Sequence, residues 1–226
     1  MSRFLKRILK ACLWLGILLA ATTALLVLAL RWVDPPSSMV ILAWQQQNDR
    51  QAQCDWQPLE KISPHLQMAV IAAEDQKFPR HHGFDFASLK KALEENRKRP
   101  RGASTITQQT AKNLFLWNGR SYLRKGLEAW FTLLMELLWP KERILEIYLN
   151  IAEFGEGVYG AQAAAKNFFG IHAIHIDRWQ AGLMAAVLPN PRRMSARAPS
   201  RYVRSRAADI DRQVRQLGRS SYLEKL

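Results

Sequence analysis

The stretch Leu-Gln-Met-Ala-Val-Ile-Ala-Ala-Glu-Asp at residues 66–75 decides the fold. Its apolar residues have helical spacing, and Pro79 and Gly83 interrupt the pattern soon after the two acids, so it predicts a mainly buried helix ending at Glu74 and Asp75. A carboxylate there faces the negative end of the helix dipole, and the second acid adds repulsion, so we expect a raised pKa for Glu74. Glu74 is therefore a candidate general base; the alternative is a structural cap or ion pair.

Most of the remaining chain also has helical periodicity. Further helices are predicted at residues 127–139, 144–149 and 179–188, the first closed by Pro140. The apolar run 127–139 is too short to span a bilayer and contains two glutamates, so it is predicted to be the central buried helix. The nearest strand candidate, residues 39–44, is weak. The fold is therefore predicted to be mainly α.

The N-terminus has the pattern of a membrane anchor. An uninterrupted apolar stretch follows the basic residues Arg3, Lys6, Arg7 and Lys10 and has the roughly 20 residues that a helix needs to cross a bilayer. The positive-inside rule keeps such a basic cluster in the cytoplasm. A retained anchor is expected, and a cleaved signal peptide is the alternative. The predicted organisation is a cytoplasmic tail at 1–10, an anchor at 11–31, a proline-containing stalk or linker at 32–60 and one catalytic domain at 61–226.

The charge balance restricts the partners. A formal net charge of +14 favours polyanions, anionic lipid surfaces or phosphorylated substrates. Nucleic acid is disfavoured because no helix-turn-helix, zinc-finger or RNP-type motif accompanies the charge. The apolar and basic segment 84–93 with the basic run 97–101 is interpreted as a headgroup contact or a solvated loop. The arginines from 192 to 219 are interpreted as a solvated basic tail attracted to anionic lipid.

Few residues are suited to disulfides or metal clusters. The chain has two cysteines. Cys12 lies inside the apolar run and Cys54 stands alone in the rest of the chain, so no disulfide framework is expected. The histidines have no cysteine partners at zinc-site spacing. The sequence therefore indicates a domain that folds around an apolar core.

A second polar block, Gly-Ala-Ser-Thr-Ile-Thr-Gln-Gln-Thr-Ala-Lys-Asn, lies at residues 102–113. Ser or Thr before a helix is commonly an N-cap, but here the helix start is followed by amides and cations. Free N–H groups, hydroxyls and cations together form a natural site for an anion. A pyrophosphate is the predicted ligand, although a solvated basic face is the alternative for each residue alone. The predicted cations are Lys112, Arg120, Arg124 and Lys125, with Glu128 one turn after Arg124.

Five blocks together resemble the glycosyltransferase domain of class A penicillin-binding proteins, and in particular the monofunctional, membrane-anchored biosynthetic peptidoglycan transglycosylases. One position departs from the family pattern, since Ala103 stands where the family usually has a second glycine. This change weakens claims about backbone geometry at that turn. The blocks are Glu74-Asp75-x-x-Phe78-x-x-His81-x-Gly83; Gly102 to Gln109 with Lys112-Asn113; Arg124-Lys125-x-x-Glu128; Lys141-Glu142-x-Ile144-Leu145-Glu146-x-Tyr148-Leu149-Asn150; and Gly157 to Gln162.

The resemblance implies a lysozyme-like helical lobe with a smaller membrane-proximal lobe. It implies an inverting enzyme that polymerises lipid II into β-1,4-linked glycan strands and releases undecaprenyl pyrophosphate on the outer face of the bacterial inner membrane. Glu74 is the expected general base, and Glu128 is placed in the active cleft. No obligatory cofactor is evident, although a divalent cation, Mg²⁺ or Mn²⁺, near Glu128 is a candidate to share the charge of the leaving group.

The remaining residues of these blocks are assigned to substrate binding. For Glu142, Tyr148 and Asn150 a structural role is at least as strong an interpretation, and Gly157 to Gln162 is interpreted as scaffold. The predicted substrate-binding residues are Asp75, Phe78, His81, Gly83, Ser104, Thr105, Gln108, Gln109, Lys112, Asn113, Arg120, Arg124, Lys125 and Glu142.

Two other functions use parts of the same pattern. A membrane-anchored lytic transglycosylase or muramidase also uses one glutamate in a helical lobe, but it cleaves finished strands and needs no pyrophosphate site. A non-catalytic scaffold for cell-wall or division proteins leaves Glu74 replaceable. The cations from Lys112 to Lys125 favour the polymerase over the lytic enzyme.

Overall fold

The computed structural model describes residues 3–86, 90, 104–119 and 121–226. The first helix, α1 (Arg3–Ala29), exposes most of its apolar side chains and is long and apolar enough to cross a membrane. It packs against the rest of the chain near its C-terminal end, where the Trp139 indole N–H donates to the carbonyl of Val27 at 2.6 Å. The Arg143 guanidinium donates to the carbonyl of Leu30 at 3.0 Å. The helix is therefore joined to the domain by buried and half-buried polar contacts.

The next segment is a helix, α2 (Met39–Asn48). Residues 39–44, the nearest strand candidate in the sequence, are helical: the Ser38 side chain caps the helix, and Trp44 packs edge-on against Tyr159. Gly157 has φ +70°, and a Cβ at this position would lie 2.5 Å from the Trp44 ring, so only glycine fits.

A small sheet follows, with strand order β1-β3-β2. The strands are β1 (Gln53–Cys54), β2 (Glu153–Gly155) and β3 (Val158–Tyr159), and β3 pairs in parallel with β1 and antiparallel with β2. Residues 39–60, for which the sequence predicts a stalk, thus contain a helix and a strand that pack on the domain. Two-residue strands are too short to show a periodic pattern.

One group of helices surrounds the 66–75 stretch. Helix α3 (Pro64–Glu74) begins at the cap Ser63 and confirms the predicted helix. Its buried residues pack against α8 (Arg178–Val187) and α9 (Arg201–Leu217). The arginines of this C-terminal segment are mostly exposed, as expected for a solvated basic helix, but α9 also buries one stripe of side chains at helical spacing. That stripe consists of Val203, Ala207, Ile210 and Val214.

A second group carries the polar block and the central apolar run. It comprises α4 (Ile106–Phe115), α5 (Tyr122–Leu138), α6 (Lys141–Ile151) and α7 (Ala161–Phe169). Four short 3-10 helices at Leu59–Lys61, Phe78–Arg80, Ala173–His175 and Arg219–Lys225 connect or end these elements.

Helix α5 is only partly buried. Phe131, Leu134 and Met135 face the core, whereas Leu133 and Leu137 are 45% and 70% exposed. The prediction of a central buried helix was therefore wrong for the face of α5 that carries Leu133 and Leu137. Trp130 lies on the same face at helical spacing and contacts α1. The mainly α architecture and the N-terminal apolar helix are confirmed. The division into two lobes stays a prediction.

Candidate active site

Glu74 is the last residue of α3 and is half-buried. The Gln109 side chain on α4 donates a hydrogen bond of 2.8 Å to the Glu74 carboxylate. Burial raises the pKa of Glu74, and the adjacent Asp75 adds to this effect. The hydrogen bond from Gln109 and the charges of Arg206 and Lys112 act in the opposite direction. The carboxylate therefore combines an elevated proton affinity with neighbours that support its ionised form.

The orientation of the Gln109 amide is set by Tyr148. The buried Tyr148 hydroxyl donates to Oε1 of Gln109 at 3.3 Å, which leaves the amide nitrogen facing Glu74. Burial raises the pKa of Tyr148 well above its ordinary value, so the phenol keeps its proton. A neutral phenol is thus the donor that holds this amide in place.

Asp75 has a different environment from Glu74. It is buried, and its carboxylate lies 2.9 and 3.0 Å from Nε2 of His81. It also accepts a hydrogen bond of 3.0 Å from the backbone N–H of Ile106, at the N-terminus of α4. Asp75 and His81 therefore join the end of α3 to the start of α4. Their predicted part in substrate binding stays a prediction.

The start of α4 is fixed by a capping box. The Thr105 hydroxyl accepts from the backbone N–H of Gln108, and the Gln108 side chain accepts from the backbone N–H of Thr105. The Thr105 hydroxyl also donates to the carbonyl of Gly83 at 2.7 Å. Gly83 has φ +82°, a conformation that favours glycine. Ser104, which precedes the cap, is exposed.

A polar cluster around Glu136 links α4, α5 and α6 next to the capping box. Glu136 accepts hydrogen bonds from the Thr107 hydroxyl at 2.5 Å and from the Lys141 ammonium at 2.8 Å. The Lys141 ammonium also lies 4.5 Å from the ring centre of Phe78, which is fully buried. Phe78 is therefore part of the packing between α4, α5 and α6.

Two of the four predicted cations, Arg124 and Lys125, pair with Glu128, whose charge also acts on Lys112. This buried carboxylate accepts from Arg124 at 2.8 Å and from Lys125 at 2.5 Å. Burial lowers the pKa of Lys112. The positive charges of Arg124 and Lys125 lower the pKa of Lys112 further, whereas the negative charge of Glu128 raises it. Asn113 follows Lys112 and is half-buried on α4. An open pocket of about 360 Å³ adjoins the cluster and is lined by Lys112, Trp117, Asn118, Gly119 and Arg124.

Glu74 and Lys112 affect each other's pKa, although less than their other neighbours do. The charge of Lys112 lowers the pKa of Glu74, and the charge of Glu74 raises the pKa of Lys112. Glu142 is exposed in the first turn of α6, and the contacts within the described ranges do not bring it to Glu74 or Glu128. Arg120 lies outside the described residues. The structure thus brings together the two predicted blocks but leaves Glu142 apart.

Two residues near Glu74 were not assigned to the site from the sequence. The Arg206 guanidinium on α9 lies 3.5 Å from the carbonyl of Ala73, and its charge lowers the pKa of Glu74. For Tyr148, the sequence made a structural role at least as strong an interpretation as substrate contact. The amphipathic stripe of α9 could have shown that this helix packs on the core, although not which arginine reaches Glu74.

The surroundings of Glu128 do not fit a divalent cation. Both of its carboxylate oxygens accept from cationic side chains. Among residues 3–86, 90, 104–119 and 121–226, no three His, Cys, Asp or Glu side chains converge as a metal site. A divalent cation prefers several oxygen ligands. The chemistry below therefore uses no metal step.

A half-buried glutamate and a cation-lined pocket that adjoin the same helix, α4, are typical of an enzyme active site. A family model described as Transglycosylase matches residues 40–215. The chain is 54% identical over 228 residues to a biosynthetic peptidoglycan transglycosylase of Ectopseudomonas mendocina, with 98% of this chain and 93% of the relative covered. It is 53% identical over 233 residues to that of Pseudomonas syringae pv. syringae, with 100% and 97% covered.

A relative from a third genus gives the same result. The biosynthetic peptidoglycan transglycosylase of Xanthomonas campestris pv. campestris is 52% identical over 227 residues, with 97% of this chain and 92% of the relative covered. The chain therefore belongs to the transglycosylase family, which confirms the family resemblance of the five blocks.

Proposed function

We propose that this glycosyltransferase polymerises lipid II into β-1,4-linked glycan strands of peptidoglycan and releases undecaprenyl pyrophosphate. The family membership and the names of the relatives support a peptidoglycan substrate. The apolar helix α1 supports attachment to a membrane. We place the N-terminus in the cytoplasm and the catalytic domain on the periplasmic face of the inner membrane, because basic residues precede α1.

Glu74 is the proposed general base. It takes the proton from the acceptor sugar hydroxyl while that oxygen attacks the anomeric carbon of the donor. The bond from this carbon to the pyrophosphate oxygen breaks, its electron pair leaves with the pyrophosphate, and attack from the opposite face inverts the configuration. The raised pKa of Glu74 supports this role, since a base with a pKa nearer neutrality accepts the proton more readily.

The cations are proposed to stabilise the leaving group. A pyrophosphate departs as an anion, so charge-assisted hydrogen bonds from Lys112, Arg124 and Lys125 can replace the second carboxylic acid that glycosidases use. Glu128 holds Arg124 and Lys125 through its ion pairs. Ser104, Gln109 and Asn113, which are not fully buried, remain candidates for sugar contacts.

One observation carries the choice between polymerase and lytic enzyme: helix α4 holds Glu74 through Gln109 and, one turn further on, contributes Lys112 to a pocket that Arg124 also lines. A hydrolytic or lytic glycosidase has no anionic leaving group to bind there. The net charge of +14 further supports contact with anionic lipids, and contacts with cell-wall or division proteins remain part of the proposal.

The test is incubation of the detergent-solubilised protein with labelled lipid II, beside Glu74→Gln, followed by gel separation of the products. Polymer from the unchanged protein alone is the expected result. Cleavage of purified sacculi without polymer would instead identify a lytic enzyme. No product in both assays would favour a scaffold, and a near-normal rate for Glu74→Gln would remove Glu74 as the base.

A further inference from the structure

An apolar groove lies between α1 and α5, outside the residues assigned to catalysis. Its volume is about 280 Å³. The indole N–H of Trp130 donates to the Thr23 hydroxyl at 3.1 Å across the groove, so a polar contact holds the two helices together there. Apart from this pair, the groove is lined with hydrocarbon. Its lining residues are Leu19, Ala20, Thr23, Leu127, Trp130 and Phe131.

The position of the groove along α1 sets the kind of molecule that can fill it. The apolar span of α1 runs from Phe4 to Ala29. Thr23 lies six residues before Ala29, which corresponds to about 9 Å along a helix. When α1 crosses a bilayer, the groove therefore lies below the headgroups, among hydrocarbon chains. Its occupant must be an apolar chain.

The groove adjoins the cation pocket along α5. Arg124 lines the pocket, and Leu127, one helical turn later, lines the groove. Three residues of helix correspond to about 4.5 Å. The groove residue Phe131 stacks on Phe115 with ring centres 4.3 Å apart, and Phe115 follows Lys112 by one turn on α4. On both helices, a cation of the pocket is followed within a turn by an apolar residue that lines the groove or stacks on its lining.

We propose that this groove binds the first isoprene units of the polyprenyl chain of the pyrophosphate-linked substrate. The inference rests on the function proposed above, because it assumes a pyrophosphate bound at Lys112 and Arg124. In such a substrate the chain begins at the pyrophosphate itself, so its first units are held within reach of Leu127. That tether gives the polyprenyl chain a higher effective concentration at the groove than an untethered phospholipid acyl chain.

Photolabelling tests the occupant directly. The full-length protein in detergent micelles with added phospholipid is irradiated with a lipid II analogue that carries a diazirine on its second isoprene unit, and labelled peptides are mapped by mass spectrometry. Label at residues 19–23 and 127–131, displaced by unlabelled lipid II, is the expected result. Label confined to exposed α1 residues such as Leu18 and Leu25 would overturn the proposal. Equal labelling of the groove by a diazirine phospholipid that lipid II does not displace would also overturn it.

A matched pair of substitutions tests the consequence for substrate use. Ala20→Trp fills the groove, whereas Ala21→Trp makes the same change at the next, exposed position of α1. In Ala20→Trp the polyprenyl chain moves from the groove into the surrounding lipid, which is also apolar, so it loses only its packing contacts with the protein. We therefore expect KM for lipid II to rise about fivefold with little change in kcat. Ala21→Trp is expected to behave like the unchanged protein.

The outcomes separate the two proposals. Equal KM values for Ala20→Trp and Ala21→Trp would contradict the groove assignment while polymer formation continued. A loss of kcat in Ala20→Trp with unchanged KM would also contradict it, because the groove would then serve only to position α1. Absence of polymer from the unchanged protein would instead overturn the proposed function on which the inference rests.

Discussion

The side-chain amide of Gln109 donates a 2.8 Å hydrogen bond to the carboxylate of Glu74. The two residues come from α3 and α4, 35 positions apart in the chain. A hydrogen bond to a carboxylate favours its charged form, whereas burial favours the neutral form. Gln109 thus limits how far burial raises the pKa of Glu74. The pH dependence of activity should therefore respond to changes at Gln109.

Gln109→Met keeps the length of the side chain but removes the amide. The pKa of Glu74 should rise, so the acid limb of the kcat/KM profile with lipid II should move to higher pH by about half a unit to one unit. Gln47→Met, at an exposed position of α2, is the matched control and should leave the profile unchanged. A lower kcat without movement of the acid limb would show that Gln109 acts on the substrate alone.

Tyr148→Phe removes the hydroxyl that orients Gln109 and preserves the ring in the core. The amide can then turn its oxygen toward Glu74, which favours the protonated carboxyl, so the acid limb should move in the same direction as in Gln109→Met. The double variant should match Gln109→Met alone, because Tyr148 acts through Gln109. Tyr202→Phe, at an exposed tyrosine, is the control. Additive shifts in the double variant would contradict this pathway.

The sequence predicted much of this site because its signals are local. Helical spacing ending in two acids located Glu74, and the polar block predicted a capped helix start followed by Lys112. The structure confirms both elements as α3 and α4. In the sequence, Glu128 lies one turn after Arg124, and the structure joins the two residues in an ion pair on α5.

Helical periodicity alone does not show that the two adjacent acids have different environments. Glu74 and Asp75 have the same local pattern, and only the packing of α4 directs Asp75 to the N–H of Ile106 and leaves Glu74 facing Gln109. Arg206 reaches the end of α3 from 133 positions away. Contacts of this range depend on how helices pack, which single-sequence periodicity does not specify.

Glu74→Gln should increase thermal stability near neutral pH. The pKa of Glu74 in the folded state lies above its ordinary value of 4.5, so the folded state binds the proton more tightly. Stability should therefore fall as pH rises from 4.5 toward the folded pKa, and glutamine avoids this loss. We expect about 1 kcal/mol higher stability than the unchanged protein at pH 7.5 and no gain at pH 4, measured as Tm in detergent. A lower Tm at pH 7.5 would contradict this prediction.

Asp75→Ala should lower the thermal stability of the protein. It leaves the N–H of Ile106 and the ring of His81 without their buried acceptor, which we expect to cost about 2 kcal/mol. The Tm should fall by several degrees at both pH 7.5 and pH 4.5. Glu60→Ala, at an exposed carboxylate in the 3-10 helix Leu59–Lys61, is the control. An unchanged Tm with a raised KM would favour the predicted substrate-binding role of Asp75.

Glu128→Gln should move the alkaline limb of the kcat/KM profile with lipid II. The charge of Glu128 raises the pKa of Lys112, which burial and the neighbouring cations lower. Without that charge, Lys112 loses its proton at a lower pH, and the neutral amine stabilises a departing pyrophosphate less well. We expect the alkaline limb of kcat/KM to move down by about half a unit to one unit. Glu142→Gln makes the same change at an exposed glutamate and should leave that limb in place. If the alkaline limb stays in place in Glu128→Gln, Lys112 does not determine that limb. If the limb shifts in Glu142→Gln, Glu142 belongs to the site, as the sequence predicts.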